Sequence, residues 1–134
     1  MTLAPFEAAP AAIQLHLVSA VVAFVLGSWM LMRPKGTPVH RRLGRIWMAL
    51  MVAVALSSFL IPATIGRFAG PFGIIHVLSV WTLVSVSVAI WAARTGRVRH
   101  HRIWVLATYF GALVGAGAGA FAPGRLISHM LGYG

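Results

Sequence analysis

Ile74-Ile75-His76-Val77-Leu78-Ser79 opens a long apolar segment, and Leu15-His16-Leu17-Val18-Ser19 opens another earlier in the chain. The two histidines are 60 positions apart, and the same offset carries Ser19 to Ser79, Gly36 to Gly96, His40 to His100 and Arg42 to Arg102. With six histidines in 134 residues, one match at a given offset means little. Two at the same offset, with serine, glycine and arginine carried along, indicate a duplicated unit. Working outward from these segments, the unit reads as a pair of membrane helices, repeated over residues 11–61 and 72–121.

Composition supports lipid as part of the solvent. The chain is 60% hydrophobic and 9% charged, with a mean hydropathy of +0.89. Soluble domains are nearer a quarter charged, and so few charges cannot cover a water-facing surface. The length suits one domain. There is no cysteine, which excludes disulfides, iron–sulfur clusters and thiolate chemistry. Glu7 is the one acid. Paired-carboxylate catalysis within one chain is therefore impossible, and carboxylate-rich calcium or magnesium sites are disfavoured. The net charge of +10 could suggest nucleic acid. The basic residues, however, sit between apolar runs and not along one face, which is the pattern of basic membrane loops.

Four spans are expected, at about residues 11–32, 43–61, 72–93 and 101–121. Each has roughly the 20 apolar residues needed to cross a bilayer core. Pro34, Gly36 and Pro38 break the chain after the first span, Pro62 after the second, and Pro123-Gly124 after the fourth. Residues 1–10 read as a short outer tail touching the interface through Phe6, and residues 125–134 as a short amphipathic turn or two. Trp29, Trp47 and Trp104 fit an interfacial aromatic belt. Gly111, Gly115 and Gly119 mark one face of the fourth span, for close helix contact or, alternatively, a groove for a flat cofactor.

Loops one and three hold nine of the eleven basic residues: Arg33, Lys35, Arg41, Arg42 and Arg45, then Arg94, Arg97, Arg99 and Arg102. The positive-inside rule puts both loops in the cytoplasm and both termini outside. The expected fold is thus an all-α integral membrane protein, a four-transmembrane-helix bundle of two parallel-repeat αα-hairpins, N-out and C-out, in a bacterial inner membrane.

The histidines then fall at two depths. His16 and His76 lie just inside the outer ends of spans one and three. His40 and His100 lie at the inner ends of spans two and four. If the repeat axis runs along the membrane normal, His16 faces His76 and His40 faces His100. Neutral imidazoles from two helices can hold a haem iron between them. Arg42 or Arg102 inside could neutralise propionates by bidentate pairing. His101 competes with His100, since neighbours on a helix point about 100° apart; the repeat favours His100. The alternative is interfacial histidines bonded to loop carbonyls or lipid phosphate, with His16 and His76 bonded to Ser19 or Ser79. His129 has no repeat partner and reads as a surface residue.

This layout resembles the transmembrane di-haem cytochrome b superfamily, which includes ascorbate-dependent and ferric-reductase-like proteins. The resemblance implies one or two b-type haems, with His16 and His76 ligating one and His40 and His100 the other. It implies a membrane oxidoreductase or electron carrier, with quinol or another redox protein as partner. More directly, Lys35-Gly36-Thr37-Pro38-Val39-His40-Arg41-Arg42-Leu43-Gly44-Arg45-Ile46-Trp47, the His76 segment and residues 96–101 resemble an uncharacterised bacterial family of small predicted membrane proteins. That resemblance brings no activity with it. His40 precedes the strongly apolar part of its span, so an inner haem would sit shallow.

Two other classes remain in view. The apolar exterior and glycine face suit a structural or assembly subunit of a larger membrane complex, or a homo-oligomer. Duplicated hairpins also suit a small transporter, but no intramembrane acid is available for proton coupling. The lipid bilayer is the partner common to every reading, and nucleic acid is the partner of none.

Overall fold

The computed structural model describes residues 1–64 and 66–134. Ile65, in the expected loop between spans two and three, lies outside them. The order of elements is α1 (Ala4–Glu7), α2 (Ala11–Leu31), α3 (Pro38–Ser58), β1 (Arg67–Ala69), β2 (Phe72–Gly73), α4 (Ile74–Arg94), α5 (Val98–Ala107), a π-helical segment (Thr108–Gly115), α6 (Ala116–Gly119) and α7 (Leu126–Leu131). Helices α2 and α4 are each 21 residues long and apolar enough to cross a membrane. α5, the π segment and α6 run on from one another as one continuous helical rod.

Local chemistry sets the helix ends. α3 begins at Pro38, ahead of the expected residue 43. Proline at the first helical position loses no intrahelical bond. The Thr37 side chain caps the start, accepting the His40 backbone N–H at 3.1 Å. The arginine-rich first turns therefore belong to the helix and not to the loop. Thr37→Ala is expected to cost about 1 kcal/mol, read as earlier thermal unfolding in detergent. α4 ends in a Schellman turn: Arg97 N–H donates to the Ala92 carbonyl at 2.8 Å, and Gly96 adopts φ +72°. Gly36 has φ +79° in the corresponding loop. The repeated glycines thus stand where each basic loop needs a left-handed residue.

α2 packs on α3, α3 on α4 and α4 on α5, and the π segment touches both α2 and α4. Neighbours in this ring are antiparallel, and α2 lies diagonally across from α4. Along the axis sit Ala23, Trp47, Met51, Val86, Ala89, Tyr109 and Leu113. Trp47 is 3% exposed, and its indole N–H donates to the Ala23 carbonyl at 2.9 Å. It is therefore a core residue, not part of an interfacial belt, because it lies about two and a half turns into α3. Trp104 packs on Trp81, with ring centres 5.4 Å apart. Trp29 and Trp91 lie beside the basic loops, with their rings under Arg33 and Arg97 at 4.9 and 4.5 Å.

The glycine face of the last rod also differs from expectation. A Cβ at Gly111 or Gly119 would meet nothing within 4 Å, so these glycines face outward and mediate no helix contact. The π segment shifts the register and turns Thr108, Tyr109, Ala112 and Leu113 inward instead.

At the end away from the basic loops, β1 and β2 form a small antiparallel hairpin. Thr2 N–H donates to the Met130 carbonyl at 2.9 Å, and α1 packs against α7. Both terminal segments therefore cover the same end of the bundle as the hairpin.

Candidate functional site

The end bearing the basic loops brings two histidines together. His40 lies in the first turn of α3 and His101 in the first turn of α5. Their ring centres are 6.5 Å apart and the ring planes 88° to one another. His101, not His100, meets His40: His100 is exposed on the next position of the helix, turned by about 100°. The Nδ1 of His101 lies 2.9 Å from the Ala89 carbonyl. A carbonyl only accepts, so Nδ1 carries a proton, and in the neutral ring Nε2 then keeps its lone pair.

A small pocket of about 150 Å³ opens beside His40, between Met30, Arg33, Thr37 and Leu43. The Lys35 ammonium is already bonded to the Leu31 and Arg33 carbonyls at 2.6 and 2.7 Å. Arg42 and Arg102 are exposed on α3 and α5, the same helices as the two histidines. No acid is present at this end to pair with them.

The pair passes a simple test as iron ligands. Two imidazoles bound through nitrogen to one metal, at roughly 2 Å per bond, have ring centres about 6 Å apart. The His40 and His101 ring centres lie near that spacing on two different helices, and the Nδ1 of His101 is the nitrogen occupied by the Ala89 carbonyl. The pocket alone is smaller than the ~300 Å³ at which enclosed ligand sites begin, so it would take part of a macrocycle and not all of it.

The opposite end does not pass. His16 Nδ1 lies 3.0 Å from the Val54 carbonyl and 3.2 Å from Ser57 Oγ, both on α3. His76 is 4% exposed. Its Nδ1 accepts the Gly73 backbone N–H at 3.1 Å. Neutral His76 therefore carries its proton on Nε2, where an iron ligand needs a lone pair. Its ring is closed in by Phe72 and Phe59, with centres 5.0 and 5.7 Å away. Among the described residues, His40–His101 is the imidazole pair whose rings meet. The expected His16–His76 pairing is replaced by a histidine latch between α2 and α3 and a histidine cap on α4. His129 is exposed on α7.

The sequence offers Ser79 as a hydrogen-bond partner between helices, but not the partners that the hydroxyl groups of the interior take. Ser58 and Ser79 hydrogen-bond to each other between α3 and α4. The Tyr109 hydroxyl bonds Ser28 on α2 at 2.6 Å. The signal was present: His76, Ser79, Thr82 and Ser85 recur every third residue along α4, and all four are buried.

Fold and surface together define an apolar, mostly helical protein with two helices able to cross a membrane. Residues 13–127 match the model of one family, and the chain belongs to it: the family described as "Predicted membrane protein (DUF2306)". No curated protein and no solved structure matches the chain.

Proposed function

We propose that the chain is a four-span electron carrier of a bacterial inner membrane, holding one b-type haem at its basic end between His40 and His101. The spans in this reading are α2, α3, α4 and the rod from α5 to α6. Both termini lie outside, because nine of the eleven basic residues cluster at the other end. The observation that carries the haem reading is the His40–His101 pair: two rings 6.5 Å apart on separate helices, one with its Nδ1 anchored so that Nε2 is free.

Each group has a role. His40 and His101 are the iron ligands. The Ala89 carbonyl orients the His101 ring. Arg42 and Arg102 neutralise the propionates as bidentate donors. A bound haem would supply a one-electron redox centre. The site is shallow, at the headgroup level, so a quinol in the bilayer or a docked redox protein can reach it. The second haem that a di-haem layout would need is left out of this reading, because His76 Nδ1 accepts the Gly73 N–H.

The test is a visible spectrum of detergent-purified protein expressed with haem supply. A Soret band that shifts on dithionite reduction, with resolved α and β bands and close to one haem per chain, is expected. A flat spectrum in well-folded protein would sink the assignment. The reading would then move to a structural subunit of a membrane complex, which the filled core and apolar exterior also suit.

A further inference from the structure

α2 is more open to its surroundings than α4: 17% of its apolar stretch is buried, against 33%. One side of it meets the core, where Gly27 lies against Trp47 and Tyr109. The side turned away carries Val21, Val22, Val25 and Trp29, 45–61% exposed. A hollow of about 360 Å³ runs over that side, lined by Val21, Val22, Val25, Leu26 and Trp29. These positions share one helix face, and four of the five walls are aliphatic. From Val21 to Trp29 the helix rises about 12 Å. That is close to the depth of one leaflet in a ~30 Å hydrocarbon core.

The hollow ends under a cation. Trp29 is its last wall, and the Arg33 guanidinium lies 4.9 Å from the centre of that ring. Stacking on a ring leaves the N–H groups of a guanidinium available to an acceptor. Lys35 is committed elsewhere, to the Leu31 and Arg33 carbonyls. No acid of the chain can answer Arg33, because the one acid, Glu7, lies on α1 at the opposite end. Nine of the eleven basic residues share the end where Arg33 stands. An apolar trough one leaflet long, headed by an unpaired arginine, fits an amphiphile with a hydrocarbon chain and a negative head. A neutral amphiphile would leave Arg33 unanswered. A zwitterionic one would bring a further cation to an end already crowded with them.

We propose that this side of α2 binds one anionic phospholipid. An acyl chain lies along Val21, Val22, Val25 and Leu26, and the head phosphate accepts charge-assisted hydrogen bonds from Arg33. The inference rests on α2 crossing the membrane and not on the haem reading, since neither His40 nor His101 takes part.

The experiment is native mass spectrometry of haem-free protein in detergent, titrated with phosphatidylglycerol or with phosphatidylcholine of the same chains. Phosphatidylglycerol is expected to be retained at the lower concentration. Arg33→Gln should weaken its binding about tenfold, the loss of one charge-assisted contact. Arg99→Gln removes the same charge from an exposed position at the same end and should weaken it much less. A short-chain phosphatidylglycerol keeps the head but cannot fill the trough, so it should bind more weakly than the long-chain lipid. Inorganic phosphate should not displace the long-chain lipid. The chain-length comparison uses the wild type, so it decides the matter even where Arg33→Gln fails to fold. Equal retention of the two long-chain lipids overturns the proposal. So does equal weakening by Arg33→Gln and Arg99→Gln, which would make the effect one of overall charge. Short-chain lipid bound as tightly as long-chain, or displacement by inorganic phosphate, would reduce the site to an anion contact and overturn it too.

Discussion

Protein carrying His101→Ala is expected to lose its reduced-minus-oxidised haem signal, while His100→Ala, one residue away, keeps it. The reasoning is geometric. The His101 ring faces His40 across 6.5 Å, and its Nδ1 is spent on the Ala89 carbonyl. The alanine variant removes both a ligand nitrogen and the anchored ring that aims it. Removing only an outer-shell partner of a metal ligand costs roughly 10–100-fold in affinity, so removing the ligand itself should exceed that. His100 is exposed and has no part in the pair. Added imidazole should restore part of the signal to His101→Ala by filling the vacated position. His76→Ala is expected to retain the haem, because that ring presents a proton at Nε2. The opposite result, with haem lost in His76→Ala and kept in His101→Ala, would move the site to the other end of the molecule.

The comparison of His100 with His101 shows where reading the chain alone runs out. The apolar runs and their proline and glycine breaks placed α2 and α4 within a residue or two of their ends. These signals are local: an uncharged stretch long enough to span, and a residue that cannot continue a helix. The 60-residue repeat located the histidines by depth, but depth leaves the azimuth free. One step along a helix turns a side chain by about 100°, and only packing of α5 on α4 decided that His101 faces inward. Trp47 failed for the same reason. Its distance from the arginines suggested a belt, whereas its neighbours across the bundle, Ala23 and Gly27, make it core. The π segment had no local signal at all, because a widened turn is chosen by what the rod must pack against. The short β1–β2 hairpin was hidden by its length; two or three residues carry too little alternation to read. The hydroxyl series on α4 is legible in its threefold spacing, but nothing in the sequence says which of those oxygens the bundle buries.

Gly27→Leu is expected to prevent the bundle from closing. Gly27 sits on α2 against the two largest rings of the core. A Cβ there would lie 2.7 Å from the Trp47 Nε1 and 2.9 Å from the Tyr109 ring. Neither ring can swing away cheaply. Trp47 is tied to the Ala23 carbonyl at 2.9 Å, and Tyr109 to Ser28 at 2.6 Å. Two effects compete even for the smallest change, Gly27→Ala. Helix propensity favours alanine over glycine by roughly 1 kcal/mol. Overpacking a filled core costs about 1–3 kcal/mol. Overpacking should win here, because the contact is with anchored rings and not with the end of a flexible chain. In lipid the helices gain no hydrophobic term from associating, so their adhesion depends on this close packing. Leucine adds three further carbons in the same place and should cost more than about 3 kcal/mol, separating α2 from α3 and the π segment. Thermal unfolding in detergent, followed by circular dichroism, measures it. Trp47→Leu in the same chain should recover part of the loss by vacating the space. If Gly27→Ala instead raises the unfolding temperature, propensity has won, and Trp47 and Tyr109 are packed more loosely against α2 than their distances indicate.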